Sequence, residues 1–335
     1  MSARATNVYM GSLHMMRRAI PGLVAAAAVA VAGCGGGSAA DEGGTVTLKV
    51  GVLPITNVAP LYLGEQKGFF KDEQLKVVPE VSEGGAATIP AVLSGDQQLA
   101  YSTTVSLVTA ASKGLPVRIV AQAARGAETP KTSFAGLMVG PDSVIKDPEQ
   151  LAGKTIAVNG LNNVNQVTTN ASLAKRDVDF KGIKYIEVPL ENMADALGTG
   201  KVDAAAAVEP FVTLGKDAGQ RSLFDNYMEA DRGLAIGQYF TSEEYAQENP
   251  DVVERFTRAV DRSMEYAQDH PEEARKVVLD YTKIKPAVAE KMKLPTWTTG
   301  VTKEDVDLAV EMTKQSGFID KDPDVEKLLP EGAGG

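Results

Sequence analysis

Residues 46–53 read VTLKVGVL, an alternation of apolar and other side chains that predicts a β-strand. A helical segment follows at residues 59–67 and ends at Gly68, and residues 76–81 predict a second strand. The next predicted elements are a helix at 86–93, a strand at 99–101, a helix at 105–112 and a strand at 117–123. This alternation predicts an α/β fold with a mostly parallel sheet and helices on both faces.

A second set of strands and helices follows between residues 137 and 208. Its predicted strands cover 137–139, 155–158, 183–188 and 202–208, and its helices lie near 163–175 and 193–197. Beyond about residue 242 the pattern predicts helices only, at 250–268, 272–281, 286–291 and 304–316. A chain of 335 residues with two such sets is long enough for two modest α/β lobes.

The N-terminal segment has the composition of a secretory signal. Arg17 and Arg18 precede the alanine- and valine-rich residues 19–32, and Cys34 follows directly after small residues. A cysteine at such a cleavage site resembles the lipobox of bacterial lipoproteins, in which the sulfur is lipidated and becomes the first residue. These 14 apolar residues are too few for a bilayer, which needs about 20. We therefore expect a signal peptide at 1–33, lipidation of Cys34, a glycine-rich tether at 34–44 and an extracytoplasmic protein anchored to the membrane by lipid.

Charge and composition exclude several kinds of function. Loss of residues 1–33 removes Arg4, Arg17 and Arg18 from a chain of net charge −10, so the mature chain carries −13. Such an acidic protein is not expected to bind nucleic acid, which needs clustered lysine and arginine. Only His270 remains among the histidines, and no free thiol remains once Cys34 is modified. Cys/His metal sites and a Cys–His dyad are therefore excluded, and we expect no metal, no cofactor and no enzymatic activity.

Several short motifs occur in an ordered series along the chain. They are APLYL at 59–63, KGFFK at 67–71, LKV at 75–77, GGAA at 84–87, LSG at 93–95, ASKGLPV at 111–117, LAGKTIAV at 151–158, GKVDA at 200–204 and VEPF at 208–211. Over about residues 46–320 this series resembles the bacterial extracytoplasmic solute-binding proteins of the nitrate/sulfonate/taurine type. The broader family also includes binders of thiamine-pyrimidine precursors.

The resemblance implies a two-lobed periplasmic-binding-protein fold of type II that serves an ABC importer. Lobe 1 is expected at 45–133 plus 241–335 and lobe 2 at 134–240, with crossing strands near 134–139 and 234–239 as the hinge. The solute is expected between the lobes, at the carboxyl ends of the strands. The expected partners are a small-molecule solute, the ABC permease and its ATPase, and the protein is expected to be a monomer.

The identity of the solute is left open by the resemblance. A small organic sulfonate, carboxylate or related anion is one candidate, and a pyrimidine or amine-bearing solute is the alternative. A ligand-sensing lipoprotein that is not coupled to transport is a further alternative. Fungal pyrimidine-precursor synthases share the fold, but they use a histidine and a cysteine-rich motif that this chain lacks.

Four loops follow predicted strands and open helices, at 54–57, 82–85, 102–104 and 159–163. Free backbone N–H groups at such helix starts bind anions without a cation, and glycine allows close approach of the backbone. The candidate binding residues in these loops are Thr56, Asn57, Gly84, Gly85, Ser102, Thr103, Asn159 and Asn162. The same residue types also cap helices and close turns without any ligand, which is the alternative for each of them.

Two charged residues bear on the class of solute. Arg125 follows the predicted strand 117–123 and could clamp a carboxylate or sulfonate through two hydrogen bonds; the alternative is a solvated loop arginine. Glu209 ends an apolar strand before Pro210. It is either a structural acceptor near the hinge or a contact for a ligand donor, and in the second case an amine or aminopyrimidine is favoured over a monoanion.

Overall fold

The computed structural model describes residues 44–82 and 84–330. The predicted signal peptide, Cys34 and the tether up to residue 43 lie outside the described residues. The strands are β1 Val46–Val52, β2 Leu75–Val81, β3 Leu99–Thr103, β4 Val117–Arg125, β5 Ala135–Val139, β6 Thr155–Val158, β7 Lys184–Glu187, β8 Ala204–Val208, β9 Arg221–Phe224 and β10 Ala235–Ser242.

The strands form two five-stranded sheets. Sheet 1 has the order β2-β1-β3-β10-β4, and sheet 2 has the order β7-β6-β8-β5-β9. In each sheet three strands are parallel and come from strand–helix–strand units. The other two strands of each sheet run antiparallel to a neighbour. The alternation of strand and helix in the sequence therefore produces two mostly parallel sheets, because parallel neighbours require a crossover connection.

Helices flank both sheets. They are α1 Ala59–Lys67, α2 Phe69–Asp72, α3 Thr88–Leu93, α4 Thr104–Ser112, α5 Val164–Ala174, α6 Met193–Gly198, α7 Phe211–Asp217, α8 Asn226–Ala230, α9 Glu243–Glu248, α10 Pro250–Asp269, α11 Pro271–Tyr281, α12 Pro286–Lys291, α13 Lys303–Gln315 and α14 Val325–Leu328. Short 3₁₀ turns lie at Thr56–Val58, Gly85–Ala87, Pro130–Thr132, Pro148–Leu151 and Leu190–Asn192. Within residues 44–82 and 84–330, none of the helices has the length and apolar character that a membrane crossing requires.

The sheets divide the chain at points slightly different from the predicted ones. All of β10 pairs with β3 and β4 in sheet 1, so the predicted boundary at residue 240 falls inside a strand of sheet 1. Neither β5 nor β10 runs through both sheets, so the expectation of two crossing strands is wrong. The chain instead passes between the sheets in the segments 126–134 and 225–234. β9, which the sequence pattern did not predict, completes the edge of sheet 2 beside β5.

An aromatic cluster packs around the centre of sheet 1. Tyr101 on β3 meets Tyr239 on β10 edge to face at 6.3 Å, and Tyr239 packs on Phe256 of α10 at 5.7 Å. All three side chains are fully buried. Such edge-to-face pairs add to the stabilisation that burial of the rings provides. Gly237 on β10 leaves the space that the ring of Tyr101 fills.

We expect Gly237→Ala to destabilise the protein by about 1–3 kcal/mol, because the added methyl overpacks this site. A Cβ at residue 237 would lie under 3.0 Å from the ring and hydroxyl of Tyr101. Urea denaturation measures the free energy of unfolding. Gly198→Ala is the matched control, since a Cβ there meets nothing within 4 Å. Equal stability of the two variants would contradict the packing account.

Candidate functional site

A cavity of about 220 Å³ lies between the carboxyl ends of the strands of the two sheets. Its lining comes from the ends of seven strands or the segments that follow them, three in sheet 1 and four in sheet 2. From the sheet 1 side the lining residues are Leu53, Ile55, Asn57, Gly84, Gly85, Ala86, Ala87, Tyr101, Thr103 and Ser106. From the sheet 2 side they are Asn159, Gly160, Leu161, Asn163, Val164, Asn165, Glu187, Leu190, Val208 and Tyr227. Binding sites of open α/β sheets are expected at this edge, and the volume suits a small solute.

The loop after β1 is held in place by the C-terminal helical region. The hydroxyl of Tyr281 donates to the carbonyl of Ile55 at 3.0 Å, and the indole N–H of Trp297 donates to the carbonyl of Asn57 at 3.4 Å. The Tyr281 ring also stacks on Tyr62 of α1 at 4.1 Å. The Asn57 side chain, which is 2% exposed, donates its Nδ2 to the hydroxyl of Tyr101 at 3.1 Å. Residues more than 200 positions apart in the sequence therefore fix the position of Asn57.

The remaining sheet 1 wall consists of the glycine turn after β2 and the start of α4. Ser102 donates its hydroxyl to the carbonyl of Gly85 at 2.9 Å, which ties this turn to β3. Thr103 is the N-cap of α4, and its Oγ1 accepts from the Ser106 backbone N–H at 3.2 Å. The Thr103 hydroxyl donates to the Ser106 hydroxyl at 2.9 Å. These bonds are the helix-capping chemistry that the sequence left open as the alternative.

Three asparagines build the sheet 2 wall at the start of α5. Asn163 is the N-cap, and its Oδ1 accepts from the Gln166 backbone N–H at 3.2 Å. The side-chain Nδ2 groups of Asn163 and Asn165 both donate to Oδ1 of Asn159 at 2.8 Å. The amides are therefore oriented by one another and by the helix start.

The electrostatic character of the cavity comes from amides, helix starts and one carboxylate. No lysine or arginine occurs among its lining residues as far as the chain is described. The first N–H groups of α4 and α5 have no partner within their own helices, and the helix dipole makes both ends attractive to negative charge. Glu187, an exposed residue at the end of β7, places a carboxylate at the rim. The lining can thus contact both acceptor and donor groups of a solute.

The structure brings five of the ten predicted binding residues into the lining, namely Asn57, Gly84, Gly85, Thr103 and Asn159. It places Thr56, Ser102, Asn162, Arg125 and Glu209 outside the lining. Thr56 and Ser102 are fully buried beside the cavity and hold its loops, as the bonds to Glu209 and Gly85 show. Asn162 adopts a left-handed conformation with a φ of 56°, and its N–H donates to the side chain of Gln166.

Arg125 is engaged away from the cavity. Its guanidinium makes two hydrogen bonds to the carboxylate of Asp305 on α13, at 2.8 and 2.5 Å, and a third to the carbonyl of Gly233. Burial acts to raise the pKa of Asp305, but hydrogen bonds from Arg125 and Thr302 outweigh it and hold that pKa below its ordinary value. The prediction of Arg125 as an anion clamp is therefore not supported, because its guanidinium is already paired with the carboxylate of Asp305. It is not a solvated loop arginine either.

Glu209 is a structural acceptor. It is 1% exposed, and its carboxylate accepts from the Thr213 N–H at 2.9 Å, the Thr213 hydroxyl at 2.8 Å and the Lys293 N–H at 3.2 Å. Its backbone carbonyl accepts from the N–H and the hydroxyl of Thr56. Burial raises the pKa of Glu209, and the donors from Thr213 and Lys293 oppose that rise. Of the two predicted roles, the structure matches the acceptor near the hinge.

Sequence reasoning missed Tyr101, Tyr227, Ser106, Asn165 and Glu187. Glu187 is the last residue of β7, so the rule that loops after strands form the site could have found it. Asn165 and Ser106 lie in the first turns of helices whose starts were already named. The two tyrosines carried no signal that separates them from core aromatics. Among the described residues, no group of three or more His, Cys, Asp or Glu side chains is placed to hold a metal ion.

The profile of the family described as NMT1/THI5 like matches residues 55–274. The chain belongs to the NMT1/THI5-like family. The resemblance that the motifs predicted is therefore confirmed for the family. The matched region contains nearly all of the cavity lining.

The relatives include both a binding protein and an enzyme. The formylaminopyrimidine-binding protein of Halalkalibacterium halodurans is 25% identical over 262 residues, 74% of each chain. The 4-amino-5-hydroxymethyl-2-methylpyrimidine phosphate synthase of Candida albicans is 25% identical over 224 residues, 64% of this chain and 65% of the synthase. Family membership alone therefore does not separate binding from catalysis.

The fold matches that of solved periplasmic binding proteins. The alkanesulfonate-binding protein SsuA of Xanthomonas axonopodis pv. citri, bound to MOPS, superposes with a TM-score of 0.72 at 18% identity. The match covers 84% of this chain and 97% of SsuA. The predicted α/β periplasmic-binding-protein fold is confirmed.

We expect Thr213→Val to lower the free energy of unfolding by about 1.5–3 kcal/mol at a pH at which Glu209 is ionised, because it removes a donor to that buried carboxylate. That donor stabilises the ionised form, and burial raises the native pKa of Glu209 above its ordinary value. Loss of the donor raises the native pKa of Glu209 further, so the loss of stability should be full above the native pKa of the variant and should disappear as the pH falls below the native pKa of the unchanged chain. Urea denaturation at about pH 8 and about pH 4 measures the difference.

Thr313→Val is the control for this prediction. Thr313 is also buried in a helix, but its hydroxyl donates only to the carbonyl of Ala309 one turn earlier. A small loss that does not change with pH is expected there. If Thr213→Val behaved in the same way, the Thr213 hydroxyl would not stabilise the ionised carboxylate of Glu209.

Proposed function

We propose that this protein is the extracytoplasmic solute-binding component of an ABC importer. It captures a small organic solute in the cavity between the two sheets and delivers it to a membrane permease and its ATPase. The observation that carries the proposal is the cavity itself, whose wall is shared by Asn57, Gly85 and Thr103 on one side and by Asn159 and Glu187 on the other. The kinship with a formylaminopyrimidine-binding protein supports a binding role.

A site divided in this way couples binding to conformation. A solute that touches both walls interacts more strongly with the closed arrangement of the lobes than with an open one, so it shifts the population toward the closed form. A permease that recognises the closed form then responds only to the loaded protein. No catalytic step is needed for this function.

Two classes of solute are consistent with the lining. The starts of α4 and α5 favour a sulfonate, carboxylate or related anion, which the likeness to the SsuA fold also suggests. The carboxylate of Glu187 and the asparagine side chains favour a pyrimidine or amine-bearing solute, in keeping with the formylaminopyrimidine-binding relative.

Catalysis is the rival function, since a relative is named as a pyrimidine phosphate synthase. The described lining contains no histidine or lysine that could act as a base or nucleophile in the manner expected of an enzyme site. Binding without reaction is therefore the function that the lining supports better. A sensing lipoprotein would use the same cavity. A kinase gene next to the gene for this protein would favour sensing, whereas adjacent permease and ATPase genes would favour transport.

The lipid anchor completes the proposal. Cys34 follows the small residues that end an apolar segment, and the following ten residues are mostly glycine and small side chains. We propose that Cys34 is lipidated and that residues 34–44 tether a monomeric binding protein to the outer face of the cell membrane. The lipid would then hold the solute-loaded protein at the same membrane that contains the permease.

Calorimetric titration of the ligand-free full-length chain with sulfonates, carboxylates, nitrate, amines and pyrimidines tests the binding function. We expect at least one class to bind and Gly84→Leu to weaken that binding by tenfold or more. Gly84 has an extended backbone that any residue adopts, and a Cβ there meets only the carbonyl oxygen of Asn159, at 3.7 Å. The Cβ of a leucine therefore fits at this position, and because residue 84 lines the cavity we expect the rest of the side chain to take up space there.

Gly198→Leu is the control for the cavity, because residue 198 lies outside the lining and has open space around it. It should bind as the unchanged chain does. A solute at 100 times its dissociation constant for the control should add about 2.7 kcal/mol of stability to the control, and at the same concentration no more than about 1.4 kcal/mol to Gly84→Leu. Failure of every class to bind would overturn the proposed function.

We expect Cys34→Ser to release the protein from the membrane, because the sulfur that carries the lipid is lost. Cell fractionation followed by immunodetection measures the share of protein in the membrane pellet. Ser38→Ala, four residues further along the tether, should leave that share unchanged. An unchanged pellet fraction for Cys34→Ser would show that the anchor lies elsewhere.

A further inference from the structure

One asparagine of the cavity wall precedes a glycine. Asn159 follows the last residue of β6, and residues 159–160 are the only Asn-Gly pair in the sequence. In such a pair the backbone nitrogen of the glycine can attack the side-chain carbonyl carbon of the asparagine. Glycine favours this attack because it has no side chain to hinder the approach and leaves the backbone free to turn. The surroundings of Asn159 then decide whether the reaction proceeds in the folded chain.

The attacking group is the backbone nitrogen of Gly160. The paired part of β6 ends at Val158, whose carbonyl accepts from the N–H of Val188 at 2.9 Å. Beyond that point the N–H of Gly160 donates no hydrogen bond within the described residues. Asn159 and Gly160 are both partly exposed and both line the cavity, so water can reach them. The attack therefore breaks no backbone hydrogen bond.

The attacked carbonyl group has two donors aimed at its oxygen. Nδ2 of Asn163 and Nδ2 of Asn165 both donate to Oδ1 of Asn159 at 2.8 Å. This polarity is fixed, because the backbone N–H of Gln166 can only donate and therefore turns Oδ1 of Asn163 toward itself. Attack on the carbonyl carbon moves negative charge onto Oδ1, and two fixed donors at this distance stabilise such a charge. The dipole of α5, whose first turn contains Asn165, acts in the same direction.

We propose that Asn159 is a modification site of the folded protein, at which the chain itself releases the side-chain nitrogen as ammonia with the help of the two donors. The nitrogen of Gly160 forms a bond to Cγ of Asn159, and the bond from Cγ to Nδ2 breaks. The proton lost by the Gly160 nitrogen goes to the leaving nitrogen, so ammonia departs and a cyclic imide remains. Water then adds to one of the two imide carbonyls and opens the ring to aspartate or isoaspartate.

The reaction changes the sheet 2 wall of the cavity. A neutral amide becomes a carboxylate, which is ionised near neutral pH. In isoaspartate the main chain also passes through the former side chain, so it gains one methylene group at residue 159. Either product adds negative charge to a wall to which Glu187 already contributes a carboxylate. Freshly made and aged protein therefore differ in the chemistry of the cavity.

Incubation of the folded full-length chain at mildly alkaline pH, followed by tryptic digestion and mass spectrometry, tests the proposal. Cleavage after Lys154 and Lys175 releases residues 155–175, in which fragment spectra distinguish Asn159 from the other asparagines. We expect Asn159 to convert to aspartate and isoaspartate with time. A time course separates this reaction from any that occurs during digestion.

Two controls test the role of the glycine nitrogen. Gly160→Ala should slow the reaction at least about tenfold, because a side chain at residue 160 hinders the attack. The substitution fits the fold, since a Cβ there would lie 3.5 Å from Nδ2 of Asn163, an ordinary contact. Asn192 in the unchanged chain is the internal control. It is exposed, but the N–H of the following Met193 already donates to the carbonyl of Leu190, so Asn192 should remain an amide.

Two variants test the donors. Asn165→Ala removes one of them and should slow the reaction about fivefold or more. Asn163→Ser removes the other and keeps a capping oxygen for α5, so it should act in the same direction. Asn226→Ala is the matched control, because Asn226 is buried and its Nδ2 donates to Thr168 on α5. It should keep the rate within about twofold. Thermal melts identify any variant that fails to fold, and the remaining donor variant then decides.

Each outcome bears on a defined claim. An Asn159 that stays an amide in the folded chain but reacts in the urea-denatured chain overturns the modification site. An unchanged rate in Gly160→Ala overturns the imide route. Rates in both donor variants that equal or exceed the rate of the unchanged chain overturn the role of the two donors. Solute binding is not a readout of this experiment, so its result is independent of the proposed function.

Discussion

The hydrogen bonds of Glu209 are the constraint on which the cleft depends. A buried carboxylate is stable only when donors surround it, and here the donors come from α7 and from the chain after α12. The carbonyl of the same residue accepts from Thr56 in the loop after β1. Glu209 therefore joins the end of β8 in sheet 2 to two segments packed on sheet 1. The loop after β1 in turn places Asn57 at the cavity, so a residue outside the lining determines the geometry of the lining.

The polarity of the cavity arises from neutral groups rather than from a charged clamp. The arginine that the sequence offered for an anion is paired with Asp305 outside the lining, and the described lining contains no lysine or arginine. What remains are two helix starts, the side-chain amides of Asn159, Asn163 and Asn165 and one rim carboxylate. Neutral amides discriminate by the direction of their hydrogen bonds, because a buried donor or acceptor that a solute leaves unpaired weakens binding.

Part of the site was predictable from one rule, which is that the loops after the strands of an open α/β sheet form its binding site. Asn57, Gly85, Thr103 and Asn159 follow strands of a parallel sheet, and the carboxyl ends of such strands meet at one edge. Arg125 and Glu209 satisfied the same rule and still lie outside the lining. Their partners Asp305 and Lys293 are 180 and 84 positions away in the chain, and nothing local reveals such pairings. Tyr101 and Tyr227 were missed for the converse reason, since a buried tyrosine has the same pattern in a core and in a binding site.

The sequence by itself determined the α/β class, the two sets of strands and helices and the family, because these depend on periodicity and on short motifs. It also determined the candidate lipid anchor, since a signal segment and its cysteine are local features. Only the tertiary structure decided which strand completes each sheet and which polar groups are already satisfied. The reason is that hydrogen-bond satisfaction is a property of neighbours in space. A side chain of the right type becomes a binding group only where the fold leaves one of its atoms unpaired.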